Sequence, residues 1–318
     1  MIHADGLART FSTRTGPVEA VRGVDLDVKD GEIVGFLGPN GAGKTTTLRM
    51  LTTLLAPTAG TATVAGCDLR ADPVGVRRRI GYVAQGGASF AEARAGEEVV
   101  DQARLYGTSR TAAAERGREL FTRLELDGLW ERTCGSLSGG QRRRLDIVLG
   151  LIHSPQLVFL DEPTTGLDPQ SRANLWGHVR ALRDGGATIF LTTHYLEEAD
   201  ALCDRIMVID HGLIVAEGTP ERLKRQVSGD AVVLSLADPT RSGDVIGVVA
   251  AMPGAGTPSA QGTQVEVRVP HGGAVLPGLL RDLDAIGVDL DAVEVRRPTL
   301  DDVFLSLTGR SLREQPAA

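Results

Sequence analysis

The chain has 318 residues, 42% of them hydrophobic, and a formal net charge of −7. This length suits one large domain, or one domain joined to a smaller one, and the apolar content is sufficient for a packed core. The acidic balance argues against nucleic acid as the main partner, because proteins that bind it usually present a basic face.

The three cysteines, Cys67, Cys134 and Cys203, are far apart and lack metal-type spacing. So sparse a set is typical of buried thiols in a reducing compartment. The polar sequence after Met1 does not resemble a secretory signal, and no apolar run reaches the roughly 18 residues that span a bilayer. We therefore expect a cytoplasmic protein, and any work at a membrane would need another chain to cross it.

The first third of the chain is predicted to be rich in strands. Residues 1–37 alternate apolar and polar positions, with turn signals at Gly16-Pro17 and Asp30-Gly31, and they end in the apolar run 33–37. This pattern predicts β-strands, the last of them buried. A helix is predicted over 45–55, stopped near Pro57, and residues 61–84 are predicted to be strand-like.

The middle of the chain is predicted to alternate helices and strands. Residues from about 97 to 150 have a helical, charged pattern, and they are followed by three short apolar runs, at 157–160, 188–192 and 205–209. Such runs are typical of parallel strands covered by helices on both faces.

The character of the sequence changes near Ser228-Gly229-Asp230. The segments beyond this point comprise Val-rich predicted strands at 231–236, 264–269 and 290–296, predicted helices at about 243–252, 274–286 and 299–308, and a Gly/Pro/Ser-rich loop at 253–262. We expect a separate small α+β domain here. The tail beyond Arg313 is expected to be disordered.

A glycine-rich loop follows the predicted strand 33–37. It is formed by Gly38, Pro39, Asn40, Gly41, Ala42, Gly43, Lys44 and Thr45. Glycines let backbone N–H groups face phosphates without Cβ clashes, and the helix that follows favours an anion at its start. Lys44 would reach the β- and γ-phosphates, the Thr45 hydroxyl would ligate Mg²⁺, and Thr46 would add a phosphate contact. The alternative is a chance glycine-rich turn, which the strand before and the helix after make a poor explanation.

Two acids, Asp161 and Glu162, end the apolar run 157–160. Ligands collect at the carboxyl ends of strands in open α/β sheets. Asp161 is the candidate Mg²⁺ ligand, and Glu162 is placed to polarise the attacking water as a general base. Because an acid pair after a strand is often a plain surface feature, this motif depends on the phosphate loop for its meaning.

Three single residues are further candidates. Gln85 ends a predicted strand and could reach both Mg²⁺ and the attacking water, His194 follows another strand, and Phe11 could stack on adenine. Each has an ordinary alternative: a solvated glutamine, a structural histidine and a core aromatic residue.

A second glycine-rich loop, Leu137-Ser138-Gly139-Gly140-Gln141, lies about twenty residues before the acid pair. It precedes a predicted helix and so offers a second anion pocket. The nucleotide on the chain's own phosphate loop would not need this pocket. The surplus loop implies that another copy of the fold completes the ATP site.

Together these residues resemble the ATP-binding subunit of ABC transporters, over about residues 1–225. The resemblance rests on six motifs in the expected order: the phosphate loop 38–45, Gln85, the signature 137–141, the acidic strand 157–162, Gly166-Leu167-Asp168 and His194. It implies an α/β phosphate-loop NTPase with a parallel or mixed core sheet and a helical subdomain inserted at about 90–150. A small α+β accessory domain at 230–310 and a tail at 311–318 complete the expected organisation.

The resemblance also implies roles for the candidate residues. Glu162 would be the catalytic base, with Gln85 beside it, His194 would sense the γ-phosphate, and Asp168 would lie at the interface between two subunits. In the signature loop, Ser138, Gly139 and Gly140, together with Gln141, would bind the γ-phosphate of the nucleotide held by the opposite copy. Thr45, Gln85 and Asp161 would hold Mg²⁺.

A closer likeness is to the ATPases of drug exporters of the daunorubicin-resistance type. It is carried by Arg142-Arg143-Arg144-Leu145-Asp146 and by the ending Arg297-Pro298-Thr299-Leu300-Asp301-Asp302-Val303-Phe304. The arginine triplet could equally be a solvated helix face. Two departures, Ala84 where the family often has proline and the Gly/Ala-rich stretch 86–98, leave the identity of the membrane partner open.

The predicted function is therefore that of the ATP-hydrolysing subunit of an ABC exporter for a drug, an antibiotic or another hydrophobic compound. It would use ATP and Mg²⁺, pair head to tail with a second copy, and lie peripherally on the inner face of the cell membrane beneath a separate permease. Nucleic acid is not an expected partner. The alternatives are a non-transport ABC ATPase acting on ribosomes or DNA, an ABC importer ATPase and a plain phosphate-loop kinase.

Overall fold

The computed structural model describes residues 1–227 and 229–309. One compact unit comprises Met1–Pro220, and a second begins at Glu221. The predicted tail, 311–318, lies outside the described residues. Within the described ranges, no helix is both long enough and apolar enough to cross a bilayer.

The first unit contains ten strands and the helices between them. The strands are β1 (Ile2–Thr13), β2 (Gly16–Val28), β3 (Ile33–Leu37), β4 (Ala59–Val64), β5 (Cys67–Asp68), β6 (Ile80–Val83), β7 (Leu157–Asp161), β8 (Thr188–Thr193), β9 (Arg205–Asp210) and β10 (Leu213–Gly218). The helices are α1 (Lys44–Leu51), α2 (Pro73–Arg79), α3 (Ala95–Leu105), α4 (Arg110–Arg123), α5 (Gly139–Leu151), α6 (Pro169–Asp184), α7 (Leu196–Leu202) and, across the boundary between the units, α8 (Pro220–Gln226).

These strands form two sheets. The central one has the order β10-β9-β3-β8-β7-β6, in which β9, β3, β8, β7 and β6 are parallel and β10 is an antiparallel edge. Every residue of β3, β7 and β8 is buried, as expected where both faces of a parallel sheet are covered. The other sheet is antiparallel, with the order β2-β1-β4-β5. The α/β fold with a mixed core sheet is as predicted.

Two predictions for the first unit need correction. The strand-like segment 61–84 contains helix α2, which begins with Pro73 after an Asp72 cap whose side chain accepts from the Gly75 N–H at 2.8 Å. Aspartate followed by proline is a helix start signal, which the apolar pattern of the segment obscures. The helix predicted over 45–55 ends at Leu51, just before Thr53, whose φ of 63° is left-handed.

Helices α3, α4 and α5 pack against one another and form the helical subdomain between β6 and β7. The small residue Gly96 of α3 lies against the Trp130 indole, so close that a Cβ there would come within 2.2 Å of it. Phe121 of α4 meets the same indole edge to face at 5.0 Å. Helix α5 ends this subdomain and leads directly to the strand that carries the acid pair.

The second unit is a small α+β domain. Its elements are β11 (Asp230–Leu236), α9 (Ser242–Ala250), β12 (Ser259–Gln261), β13 (Gln264–Val269), α10 (Gly272–Ala285), β14 (Leu290–Arg296) and α11 (Leu300–Thr308). The sheet is antiparallel with the order β12-β13-β11-β14, and its core joins valines of β11 and β13 to residues of α9 and α10. The first six elements follow the β-α-β-β-α-β order of split βαβ folds. The prediction missed β12, a three-residue strand inside the expected loop 253–262.

Candidate functional site

The central sheet brings the predicted site residues to one edge. Strands β6, β7, β8 and β3 are consecutive neighbours in it and run parallel. The polar residues that follow them, on the carboxyl side of each strand, therefore meet at the same edge. Parallel order explains how Gln85, the acid pair, His194 and the phosphate loop converge from distant parts of the chain.

The phosphate loop needs its glycines. A Cβ on Gly38 would lie 2.3 Å from the Ile209 carbonyl oxygen, and one on Gly43, whose φ is 109°, would lie 2.6 Å from the Ala20 carbonyl oxygen. Lys44 begins α1 and folds back, donating from Nζ to the carbonyls of Gly38 at 2.8 Å and Pro39 at 3.1 Å. Burial lowers the pKa of Lys44 despite the raising effect of Glu162. The remaining predicted loop residues, Asn40, Gly41, Ala42 and Thr46, lie in the same turn and the first turn of α1.

Glu162 is in contact with side chains from several of the predicted motifs. Its carboxylate lies 3.4 Å from Lys44 Nζ and 3.3 Å from His194 Nδ1, and it accepts a hydrogen bond from Gln85 Nε2 at 2.9 Å and another from Thr165 Oγ1 at 3.3 Å. Only 7% of Glu162 is exposed. Its φ of 45° is in the left-handed region, a strained conformation for a non-glycine residue that is often kept at functional sites.

The charge of Glu162 is held by its neighbours. Burial by itself would raise the pKa of this carboxyl, but the nearby His194 and the positive charge of Lys44 outweigh burial and lower the pKa below its ordinary value. The side chain is therefore a carboxylate at neutral pH. It is available to accept hydrogen bonds from water and from the donors around it.

Asp161 has a different set of partners. Its Oδ1 accepts from Thr192 Oγ1 at 2.6 Å and from Thr45 Oγ1 at 3.2 Å. Thr192 also receives the Glu162 N–H on its hydroxyl oxygen at 3.0 Å. The threonine thus fixes both acids, one by donating to a side chain and the other by accepting from a backbone group. Asp161 and Thr45 together present hard oxygen ligands, the type that Mg²⁺ prefers.

The signature loop caps helix α5. Ser138 Oγ accepts from the Gln141 N–H at 3.2 Å, and the Ser138 N–H donates to Gln141 Oε1 at 3.0 Å, which is a capping box. Gly139 and Gly140 supply the first turn of the helix, and a Cβ on Gly140 would come within 3.0 Å of Ser171 Oγ. This geometry leaves the first N–H groups of α5 at the protein surface.

Asp168 lies next to the signature through the same serine. Its carboxylate accepts from Ser171 Oγ at 2.7 Å and from the Ser171 N–H at 2.9 Å, which lowers its pKa. Asp168 caps α6 and is exposed. The structure therefore brings Asp168 and Gly140 together, two residues that the resemblance assigns to the contact with a second copy.

Phe11 is separate from the strand-end cluster. It is half-buried on β1, opposite Val18, and the Arg9 guanidinium lies over its ring at 4.7 Å from the centroid. The alternative of a core position is wrong, because Phe11 does not belong to the buried core.

The sequence reasoning missed three residues that organise the site. Thr192 and Thr165 contact the two acids, and Arg143 is 7% exposed and donates to backbone beside them. The reading of the arginine triplet as a solvated helix face is therefore wrong for Arg143. A signal was present for Thr192 alone, a threonine directly after the apolar run 189–191 of β8.

Comparison with known proteins identifies two family models. One, for ABC transporters, matches residues 21–165, and the other, for the C-terminal domain of DrrA1-3-like ATP-binding proteins, matches residues 218–308. The second match and the second compact unit begin within a few residues of each other. Each of the two units thus corresponds to a family model.

Similar proteins extend over almost the whole chain. The daunorubicin resistance ATP-binding protein DrrA3 of Streptomyces coeruleorubidus is 43% identical over 96% of each chain. The doxorubicin resistance ATP-binding protein DrrA of Mycobacterium tuberculosis is 42% identical over 96% of this chain and 92% of its own. The linearmycin resistance ATP-binding protein LnrL of Bacillus subtilis is 33% identical over 99% of this chain and all of its own.

Solved structures of similar fold cover 69% of the chain. An ATP-binding cassette solved as a dimer in a post-hydrolysis state, bound to ADP and Pi, has a TM-score of 0.64 and 25% identity, and it covers 69% of this chain and 98% of its own. A second dimeric structure of a bacterial ABC transporter cassette gives the same TM-score with 26% identity.

Proposed function

The chain belongs to the ATP-binding subunits of ABC transporters, in the group that includes the daunorubicin resistance ATP-binding proteins, and we propose that it powers export through a separate membrane chain. It is an ATPase by this membership. The exported molecule is proposed to be a drug, an antibiotic or another hydrophobic compound, because three relatives are named for resistance to such compounds. The main support for this proposal is that the similarity extends into the second unit, which matches the family model for the C-terminal domain of DrrA1-3-like ATP-binding proteins.

The phosphates of ATP are proposed to lie in the loop 38–45. The loop supplies backbone N–H groups and leads into the N-terminus of α1, both of which favour an anion. Lys44 now donates to the carbonyls of Gly38 and Pro39, and it would exchange them for the β- and γ-phosphates. Phe11, stacked at present with Arg9, is the proposed support for adenine.

Thr45 and Asp161 are proposed to hold Mg²⁺, together with Gln85. The separation of 3.2 Å between Thr45 Oγ1 and Asp161 Oδ1 places two oxygen ligands side by side. Two protein oxygens suit Mg²⁺ in a nucleotide site, since this ion takes most of its remaining ligands from water and phosphate. The bound ion would neutralise charge that develops on the β- and γ-phosphates.

Glu162 is the proposed general base, and its environment gives it two states. In this structure burial acts to raise the pKa of the carboxyl, but His194 and Lys44 outweigh burial and lower it. When Lys44 turns to the phosphates, the carboxylate loses one of these neighbours and is free to accept the proton of the attacking water. Gln85 and His194 would orient the attacking water and the γ-phosphate on either side of this carboxylate.

Glu162→Gln tests this assignment. The amide keeps the shape of the side chain but cannot accept a proton, so turnover should fall by about 10²–10⁴-fold. ATP affinity should be retained, because the phosphate loop is unchanged, and Lys44→Ala is the matched control that should lose affinity as well. A wild-type rate in Glu162→Gln would show that another group is the base.

A second copy of the chain is proposed to complete each ATP site. The exposed N-terminus of α5, capped by Ser138, offers an anion-binding face that the chain's own phosphate loop does not use, and Asp168 lies beside it. Two solved structures of one cassette of the same fold are dimeric. In the pair, ATP would lie between one phosphate loop and the other copy's signature loop, and loss of the γ-phosphate would loosen the contact. The membrane chain would respond to the change between closed and open pairs.

The proposed location is the inner face of the cell membrane, beneath the permease. Co-purification with that chain, followed by an ATPase assay, tests the transport role. Stimulation of ATPase activity by a hydrophobic drug only in the presence of the membrane chain would support export. Stimulation by ribosomes or DNA instead would favour the non-transport alternative.

A further inference from the structure

The three consecutive arginines after the signature loop have three different environments. Arg142 is exposed and, among residues 1–227 and 229–309, its side chain donates to the Gly135 carbonyl alone, at 3.3 Å. Arg144 is half-buried and donates to Asn174 Oδ1 at 2.6 Å, which joins α5 to α6. Arg143 is buried, with 7% of its surface exposed. A charge is costly to bury unless it is fully hydrogen-bonded, so Arg143 needs a specific explanation.

Arg143 donates to three backbone carbonyls. Nη1 reaches the Ala84 oxygen at 2.6 Å, Nη2 the Asp161 oxygen at 3.0 Å, and Nε the Pro163 oxygen at 2.8 Å. These carbonyls lie immediately before Gln85 and on both sides of Glu162. One rigid guanidinium therefore holds the main chain at the ends of β6 and β7, where the two contacting side chains begin.

Asp146, one turn further along α5, contacts the backbone on the other side of Gln85. Its Oδ1 accepts from the Ala88 N–H at 3.1 Å, and a Cβ on Gly87 would lie 3.0 Å from its Oδ2. Asp146 is 5% exposed. Burial lowers the pKa of Arg143, and the negative charges of Asp146, Asp161 and Glu198 act against this. Helix α5 thus contacts the backbone before Gln85 through Arg143 and the backbone after it through Asp146.

We propose that Arg143 is a positioning residue for ATP hydrolysis. It ties helix α5, which Ser138 caps, to the backbone that sets the contact between Gln85 and Glu162. This inference rests on the proposed function of the same site. Arg143 does not touch Glu162 or Gln85 side chains in the hydrogen-bond network of the described residues. It acts through the main chain, so that movement of the signature helix changes the 2.9 Å bond from Gln85 to Glu162.

The chemistry requires arginine at this position. Its planar fork points donors in several fixed directions, whereas lysine offers a single compact ammonium. Arg143→Lys keeps the positive charge but cannot hold the three carbonyls at once. The two strand ends would then be free to shift against each other, and misplacement of catalytic groups by about 1 Å can cost roughly 10²-fold in rate.

The test compares Arg143→Lys with Arg142→Lys, the same chemical change one residue earlier at an exposed position. We expect kcat for ATP to fall at least about tenfold in Arg143→Lys, with ATP affinity within roughly threefold of wild type, since the phosphate loop is not touched. Arg142→Lys should match wild type in both. Thermal unfolding of each variant shows that the assays are done on folded protein, and Arg143→Gln serves as a second variant if Arg143→Lys does not fold.

A double-variant cycle separates positioning from general damage. If Arg143 acts through Gln85, adding Arg143→Lys to Gln85→Ala should reduce kcat by less than about threefold further, because coupled residues are not additive. A full additional loss in the Gln85→Ala background would overturn the inference, and so would an Arg143→Lys rate equal to that of Arg142→Lys. A wild-type rate in Glu162→Gln would refute the proposed base instead, so the two failures are distinguishable.

Discussion

Thr192→Val should affect both acids of the site at once. Thr192 is fully buried, donates from Oγ1 to Asp161 Oδ1 at 2.6 Å, and accepts the Glu162 N–H at 3.0 Å. Valine has nearly the same shape without the hydroxyl. The Glu162 N–H retains the Thr192 main-chain oxygen, 3.1 Å away, as a partner. Most of the loss therefore falls on Asp161, which would keep only Thr45 among the side-chain hydroxyls now bonded to it.

The size of the effect follows from the charge on Asp161. Hydrogen bonds to charged groups contribute about 1.5–3 kcal/mol, against about 1 kcal/mol for neutral ones. Thr188→Val is the matched control, because Thr188 is a buried threonine of the same strand whose hydroxyl oxygen accepts the neutral Gly31 N–H at 2.9 Å. We expect a loss of about 2 kcal/mol in the free energy of unfolding for Thr192→Val and about 1 kcal/mol for Thr188→Val.

The two variants should differ more clearly in their dependence on Mg²⁺. Loss of a partner that orients a metal ligand typically lowers metal affinity by about 10–100-fold. Urea unfolding measures the stabilities, and ATPase activity titrated with Mg²⁺ at saturating ATP measures the metal requirement. The half-saturating Mg²⁺ concentration should rise for Thr192→Val and stay unchanged for Thr188→Val. An unchanged requirement in Thr192→Val, or an equal rise in both, would refute the assignment of Asp161 as the magnesium ligand.

Three other predictions concern charge, packing and the second unit. Because the pKa of Glu162 is lowered in the folded state, its contribution to stability is present above the unfolded pKa and is lost as pH falls through the folded pKa. Acid should therefore reduce the free energy of unfolding, measured in urea, less in Glu162→Gln than in wild type. Phe190 is fully buried with its ring 5.6 Å from Phe36, so Phe190→Ala should cost about 4 kcal/mol in urea unfolding, and a change below 1 kcal/mol would contradict the packing. Deletion of 230–318 should weaken dimerisation or export more than ATP binding, and equal loss of ATP affinity in a binding titration would mean that the second unit supports the nucleotide site.

The elements that sequence reasoning located well are those with strong local signals. Strand β3 and the first four residues of β7 are apolar runs, and β8 contains the shorter run 189–191. The glycines of the phosphate loop lie between a strand and a helix, so pattern and spacing were sufficient. Helix α2 was missed because its seven residues carry only one buried side chain, Val76. Its start is marked by the capping residue Asp72, and hydrophobic periodicity carries no information about caps.

The contacts within the site were harder to predict. Arg143 and Thr192 act on carbonyls and carboxylates far away in the chain, and a sequence does not show which arginine of a triplet turns inwards. Burial decides this, and burial depends on the packing of α5 against β6. Tertiary contacts therefore determine which polar residues organise the acids, while the sequence indicates which acids are present.

If two copies of the chain share each ATP, the mass of Glu162→Gln in solution with Mg²⁺ and ATP should be that of a dimer. Light scattering should show twice the chain mass of 33.6 kDa when ATP is present, because the variant binds ATP without consuming it. Adding Ser138→Arg, which fills the signature pocket, should keep the protein monomeric while ATP still binds. A monomer at saturating ATP in Glu162→Gln, or a dimer that survives Ser138→Arg, would contradict the shared site.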